Sequence, residues 1–148
     1  MKSKKVVLFI GVLVLLTVLA AVVHLSIREQ VPEHSVLVTT SEKEYLVDIK
    51  TLDYEPVSGV RMNGKGEEIP VEGDGIAASK LLSHLDITEF SKITIIADDS
   101  YSAEVTADEI KEKGKVFFLL EEDTLRLVVF GDKNSKRSIS NVVEIQVE

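Results

Sequence analysis

The sequence predicts an α+β domain that follows a single membrane-spanning helix. An unbroken apolar run occupies residues 6–25. Beyond it, several short segments rich in Val, Ile and Leu have the length and alternation of strands. Only two later segments space their apolar residues three and four apart, as a helix with one buried face does. Strands therefore outnumber helices, which favours a mixed or antiparallel sheet with two short helices.

The apolar run near the amino terminus is long enough to cross a bilayer. Within residues 6–25 only Thr17 and His24 carry polar side chains, and three lysines precede the run. A hydrocarbon core needs roughly 20 apolar residues in a helix. The lysines favour a cytoplasmic amino terminus, so we expect residues 1–25 to be a single-pass signal anchor with the rest of the chain outside the cytoplasm. A cleaved signal peptide is the alternative, because residues 18–20, Val-Leu-Ala, resemble a cleavage site inside the run.

The charge of the remaining chain excludes some classes of partner. Three of the 17 basic residues precede the apolar run and all 25 acidic residues follow it. The part beyond the anchor therefore has 14 basic and 25 acidic residues, a net charge of −11. Such a field repels nucleic acid and anionic lipid headgroups, so we expect no nucleic-acid partner. The chain contains no cysteine, which removes disulfides and thiolate catalysis.

The chain after the anchor divides into a polar juxtamembrane linker, residues 26–35, and one domain, residues 36–148. The domain begins with an apolar segment at residues 36–38 and a half-buried strand at residues 45–49. Residues 58–68 hold three glycines and predict a loop or a hairpin that turns at Asn63 and Gly64. Residues 73–75, Gly-Asp-Gly, precede the first predicted helix, whose free amides would suit an anion.

The remainder of the domain alternates strands with two short helices. Residues 76–85 carry apolar side chains at helical spacing, and residues 92–97 predict a buried strand. A second helix begins at Thr106, which forms a capping box with Glu109, and Gly114 ends it. The last three predicted strands occupy residues 115–120, 125–130 and 141–147.

The domain offers few groups for catalysis or metal binding. His84 is the one histidine of the predicted domain, and no second histidine or carboxylate stands at a metal-binding spacing from it. Adjacent acidic residues predict solvated turns, because neighbours in a strand point to opposite faces. The pair Asp98 and Asp99 is the one to test first, since it directly follows a buried strand.

Four segments, in order, resemble the sulfite-oxidase-like molybdopterin-binding domain. Residues 75–82, Gly-Ile-Ala-Ala-Ser-Lys-Leu-Leu, are similar to the Gly-Val-x-Leu-x-x-Leu-Leu helix of that family. Residues 93–102 are similar to its strand followed by Asp-Gly-Tyr-Ser, with Ser100 in place of the glycine. Residues 125–129, Leu-Arg-Leu-Val-Val, and the closing strand complete the series. The resemblance covers about residues 57–147 and implies a sulfite-oxidase-like fold.

The resemblance also implies a pocket, and this chain departs from the family at the metal ligand as well as at Ser100. In catalytic members a cysteine thiolate binds molybdenum in the loop before the helix, and residues 61–66 of this chain contain none. Without that soft ligand the chain does not supply the usual protein bond to the metal. The implied pocket rim includes Asp99, Tyr101, Ser102 and Arg126, with Lys136 and Arg137 beside it.

These observations predict a membrane-anchored, extracytoplasmic binding or accessory module that is not an enzyme. Its partner would be a small anionic or pterin-like ligand, or another membrane protein. One alternative is a molybdopterin-dependent oxidoreductase that holds its cofactor without a protein thiolate, and another is a purely structural interaction domain. Local chemistry by itself predicts something simpler: Tyr101 packs on the sheet, Arg126 pairs with a neighbouring glutamate, and Lys136 and Arg137 lie in a solvated turn.

Overall fold

The computed structural model describes residues 2–27 and 32–148, which divide into two units. The first unit is helix α1, Lys2–Ile27. Its stretch Val6–Val23 is long and apolar enough to cross a membrane. The Thr17 hydroxyl donates to the carbonyl of Leu13 at 2.8 Å, so its polar group is satisfied within the helix. Of the predicted linker, residues 28–31 lie outside the described residues.

The second unit consists of strands with two short helices. The strands are β1 Ser35–Thr39, β2 Glu44–Asp48, β3 Glu55–Met62, β4 Glu68–Ala77, β5 Lys92–Ala97, β6 Ser102–Thr106, β7 Val116–Glu121, β8 Thr124–Val129 and β9 Ile139–Val147. The helices are α2 Ala78–His84 and α3 Ala107–Lys111, and a 3₁₀ turn occupies Ile49–Thr51. The predicted α+β class is therefore confirmed.

The strands form one mixed sheet in which β9 is the central connection. The strand order along the main path is β2-β1-β9-β8-β7-β4-β3. Outside this path, β5 pairs with β9 and β6 pairs with β5. The β1–β9 pair is parallel and the remaining described pairs are antiparallel. β8 and β1 pair with successive stretches of β9, while β5 pairs with residues 142–147. The β8–β9 register shifts next to Asn141, which has a φ of 52°, and the β5–β9 register shifts between Ile96 and Ala97.

Two groups of buried side chains hold the sheet together. The larger group joins α2 to the sheet through Leu81 and Leu82 and includes the fully buried Ile95, Leu127 and Ile145. Each such side chain contributes roughly 1.5–3 kcal/mol through burial. The smaller group lies between β3, β4, β7 and β8. Its members are Val57, Val71, Leu119 and Val128, packed with Phe117 and Phe130.

Gly59 allows β3 to approach the end of β8. A Cβ atom at Gly59 would lie 2.5 Å from the ring of Phe130, far closer than carbon atoms can pack. The glycine therefore provides the space in which Phe130 covers the smaller apolar group.

The structure of the segment from Glu55 to Ala77 decides between the alternatives of one prediction and contradicts another. Residues 58–68 are a hairpin, the second of the two predicted alternatives, because β3 and β4 pair over eight residues from Glu55 to Met62. The prediction that residues 73–75 offer amides at a helix start is wrong. Gly73 and Gly75 lie inside β4, which continues to Ala77 because β3 and then β7 supply hydrogen-bonding partners.

Candidate functional site

Asp99 forms the turn between β5 and β6. Its Oδ1 accepts the backbone N–H of Tyr101 at 2.9 Å, and the carbonyl of Ala97 accepts the N–H of Ser100 at 3.0 Å. Ser100 has a φ of 70°, the left-handed conformation that glycine adopts without strain. Three-residue hairpin loops commonly end on such a residue. The Asp99 carboxylate thus has a structural partner, and Ser102 lies exposed at the start of β6.

Tyr101 connects this turn to the loop between β8 and β9, which we call the 130–138 loop. The Tyr101 hydroxyl donates to the carbonyl of Lys136 at 2.8 Å. The side chain remains 49% exposed, so the tyrosine fastens the loop at the surface and is not part of the core. The predicted packing of Tyr101 on the sheet is therefore replaced by a hydrogen bond to a distant loop.

Arg137 holds the same loop to α3. Its guanidinium donates to both carboxylate oxygens of Asp132, at 2.8 Å from Nε, and to both oxygens of Glu109, at 2.8 and 2.9 Å. Hydrogen bonding to Arg137 lowers the pKa of Glu109 from 4.5 to about 2. In turn Asp132 and then Glu109 raise the pKa of Arg137. Arg137 is a paired and mostly buried cation, whereas local chemistry by itself predicts a solvated turn.

Glu109 also completes the predicted capping box of α3. Its Oε2 accepts the backbone N–H of Thr106 at 3.0 Å, while the Thr106 hydroxyl accepts the N–H of Glu109 at 3.3 Å. The cap fixes the carboxylate that Arg137 binds, so the helix start and the 130–138 loop are ordered together.

Arg126 lies on β8 with Glu121 of β7 beside it. Its Nε donates to Glu121 Oε1 at 2.6 Å and its Nη1 donates to the Ser138 hydroxyl at 3.3 Å. The pairing with a neighbouring glutamate that local chemistry predicts is thus present. The loop is therefore bound at three consecutive residues. Tyr101 binds residue 136 and Arg126 binds residue 138. Arg137 lies between them and binds Glu109 of α3.

A cleft of about 180 Å³ lies beside Arg126. Its second cation is Arg61, near the end of β3. Arg61 is partly buried, and its guanidinium has no hydrogen-bond or ion-pair partner in residues 2–27 and 32–148. A Cβ atom at Gly73 would meet nothing within 4 Å, so this part of the cleft stays open. We call this the two-arginine cleft.

Arg126 is the predicted ligand residue that lines the two-arginine cleft, whereas Asp99, Tyr101 and Ser102 lie on the β5–β6 hairpin instead. The sequence interpretation missed Arg61, because it assigned residues 58–68 to a glycine-rich segment without side-chain roles. The neighbours Val60 and Met62 gave no signal, because adjacent residues in a strand point to opposite faces.

A larger cleft of about 260 Å³ lies where the β5–β6 and β7–β8 turns meet the start of β1. Asp98, Asp123 and His34 line it. His34 Nδ1 is buried without a hydrogen bond and lies 3.6 Å from Asp123 Oδ1, just beyond hydrogen-bonding distance. Lys50 Nζ lies 3.7 Å from the same oxygen. Of the predicted acidic pair, Asp98 thus faces a cleft while Asp99 builds the turn.

The loop that the family resemblance matches to a molybdenum-binding cysteine is a closed polar turn. Asn63 Oδ1 accepts the N–H groups of Lys65 and Glu67 at 2.8 and 2.9 Å, and Asn63 Nδ2 donates to Glu67 at 2.8 Å. The turn holds no thiolate, so the residues present do not fit the usual protein ligand of the metal. Within the part of the chain that the structure describes, no three His, Asp or Glu side chains converge as metal ligands.

In comparisons with protein-family models and with curated protein sequences, nothing matches this chain. The candidate site is therefore argued from its own geometry.

Proposed function

We propose that this chain is a membrane-anchored binding or accessory module whose domain lies outside the cytoplasm and performs no catalysis. The observation that carries the proposal is the use of the implied pocket residues as structural ties. Tyr101, Arg126 and Arg137 all hold the 130–138 loop. The rim that would contact a substrate in the resembled family is thus held by internal hydrogen bonds, and an open cleft lined by two arginines and two glutamates lies beside it.

We propose in addition that the domain is a divergent member of the sulfite-oxidase-like class. The four ordered motif segments support this, and so does the hairpin at Ser100, where a serine stands in the backbone conformation that glycine favours. The ligand class is a small anionic or pterin-like molecule, with another membrane protein as the second kind of partner. The single apolar helix supports the anchoring, and the lysines before it support the orientation.

The absence of native cysteine allows a sharp test of anchoring and orientation. Lys113→Cys places a thiol on an exposed position of the domain, and Ser3→Cys places one at the exposed start of α1. In intact cells a membrane-impermeant maleimide should label the Lys113→Cys chain at once and the Ser3→Cys chain only after lysis. The opposite labelling pattern would refute the orientation, and recovery of the chain in the soluble fraction would refute the anchoring.

The binding role is tested on the full chain in detergent. A saturable ligand should raise its melting temperature, since a ligand at 100 times its Kd adds about 2.7 kcal/mol. Elemental analysis of protein purified from its own membrane separates binding from molybdenum chemistry. We expect no molybdenum or tungsten above background, and a stoichiometric amount of either metal would favour the oxidoreductase alternative.

A further inference from the structure

We infer that the two-arginine cleft binds a small soluble oxyanion, a carboxylate or a phosphate, between Arg61 and Arg126. The inference rests on the proposed binding function and names the chemical class of the ligand and its place in the fold.

Arg61 supplies donors that nothing in the described chain uses. A guanidinium carries five N–H donors in a fixed plane, and those of Arg61 have no acceptor in residues 2–27 and 32–148. The Arg61 nitrogens are not among the buried polar atoms that lack a partner, so they are open to water. Their donors are therefore accessible to an acceptor from outside the chain that enters the cleft.

Arg126 supplies a second, oriented set of donors. Glu121 binds its Nε and Ser138 binds its Nη1, which fixes the plane of the guanidinium. Its Nη2 has no acceptor within the described residues. A guanidinium already held in place loses little freedom when it binds a carboxylate or phosphate, and such charge-assisted hydrogen bonds are the strong ones.

The surroundings of the cleft favour a small ligand. Val71 and Leu119 give it an apolar wall, and the missing side chain of Gly73 leaves room above β4. A low-dielectric wall strengthens the attraction between the guanidinium and an anion. The volume of about 180 Å³ suits a compact molecule and not a macromolecular segment.

The charged side chains that line the cleft limit the charge that a ligand can carry. Arg126 and Glu121 neutralise each other, and Glu72 lies on the rim without an ion pair to Arg61. The charge of Arg61 is thus uncompensated, while Glu72 disfavours a highly charged ligand. The net charge of −11 beyond the anchor repels an anionic bilayer surface, which favours a soluble ion over a lipid headgroup.

The side-chain NMR signals of arginine test the inference directly. The chain has four arginines, so arginine-labelled full chain in detergent gives four Nε–H signals that single Arg→Gln variants assign. Inorganic phosphate and succinate are titrated as probes. We expect saturable shifts for Arg61 and Arg126 and none for Arg137, whose donors are already held by Asp132 and Glu109.

Affinity measurements on matched variants complete the test. Arg61→Gln should weaken probe binding at least about tenfold, the effect of losing a charge-assisted hydrogen bond. Lys113→Gln removes one exposed positive charge elsewhere and should leave the affinity within about twofold, because exposed charges are screened. Equal weakening by both variants, or shifts confined to other arginines, would overturn the inference.

Measurements in two lipid compositions distinguish a soluble oxyanion from a lipid headgroup as the ligand. In nanodiscs of phosphatidylcholine the probes should shift both arginine signals, and the addition of phosphatidylserine alone should not. Shifts that appear only with phosphatidylserine would overturn the soluble ligand in favour of a headgroup. If neither probe binds while a pterin or a partner protein stabilises the chain, this inference fails and the proposed binding function stands. If the chain is found in the soluble fraction, the proposed anchoring fails instead.

Discussion

Arg137 joins two carboxylates that belong to different parts of the domain, and Arg137→Gln removes that connection. The three side chains are only 25%, 22% and 17% exposed for Arg137, Glu109 and Asp132. Removing one partner of a buried pair costs about 3–5 kcal/mol, because the charge left behind stays unpaired. The remaining exposure reduces this penalty, so we expect the free energy of unfolding to fall by about 2–4 kcal/mol.

The same contact makes stability depend on pH. The folded pKa of Glu109 is about 2, below its ordinary value of 4.5. The stabilisation is therefore complete above pH 4.5 and is lost as the pH falls towards 2. The shift corresponds to about 3 kcal/mol, which solvent screening reduces to about 1–2 kcal/mol. Both Glu109→Gln and Arg137→Gln should flatten the decline in stability over this pH range.

Urea denaturation of the full chain, followed by circular dichroism at several pH values, measures both effects. Arg61→Gln is the matched control, because this arginine is also partly buried but has no partner among the described residues. We expect its stability to change by less than about 0.5 kcal/mol. The reasoning is refuted if Arg137→Gln costs under about 1 kcal/mol, or if Arg61→Gln costs as much.

Three further substitutions test the core, a partly buried hydroxyl and the close contact between Gly59 and Phe130. Leu127→Ala should cost about 2–5 kcal/mol in urea denaturation because Leu127 is fully buried, whereas Leu46→Ala, at a side chain that is 55% exposed, should cost under about 0.5 kcal/mol. Tyr54→Phe should cost about 1 kcal/mol, since it removes a 2.6 Å hydrogen bond to the 3₁₀ turn. Burial and then the charge of Asp48 raise the pKa of Tyr54 to about 12, so spectrophotometric titration should lose an ionisation near pH 12 in this variant. Gly59→Ala should cost about 1–3 kcal/mol, because its methyl group collides with the Phe130 ring; an unchanged melting temperature would contradict that packing.

Local patterns in the sequence predicted most of the individual elements. Residues 92–97 alternate buried and half-buried positions as a strand in the structure, as their apolar run indicated. The capping box of Thr106 and Glu109 correctly marked the start of α3. Hairpin strands β3 and β4 were harder to recognise, because their glycines, prolines and charges lack the alternation of a half-buried strand. Their pairing with each other, and not their own propensity, makes them strands.

The candidate site was only partly accessible to the same reasoning. The sequence singled out Arg126 and the turn at Asp99, but it assigned no role to Arg61 and placed Arg137 either beside the implied pocket rim or in a solvated turn. The partners of these arginines come from strands and helices far away in the chain. The pairing of β8 with β7 and of β7 with β4 brings Arg126 towards the hairpin that carries Arg61.

The sequence by itself determined the apolar helix, the acidic charge, the lack of thiolate chemistry and the α+β class. These properties depend on composition and on the spacing of side chains a few residues apart. Only the tertiary structure decided the central position of β9, the ties of the 130–138 loop and the meeting of two arginines in one cleft. Such contacts depend on which strands pair, and strand order is set by the packing of the whole domain, which local spacing does not encode.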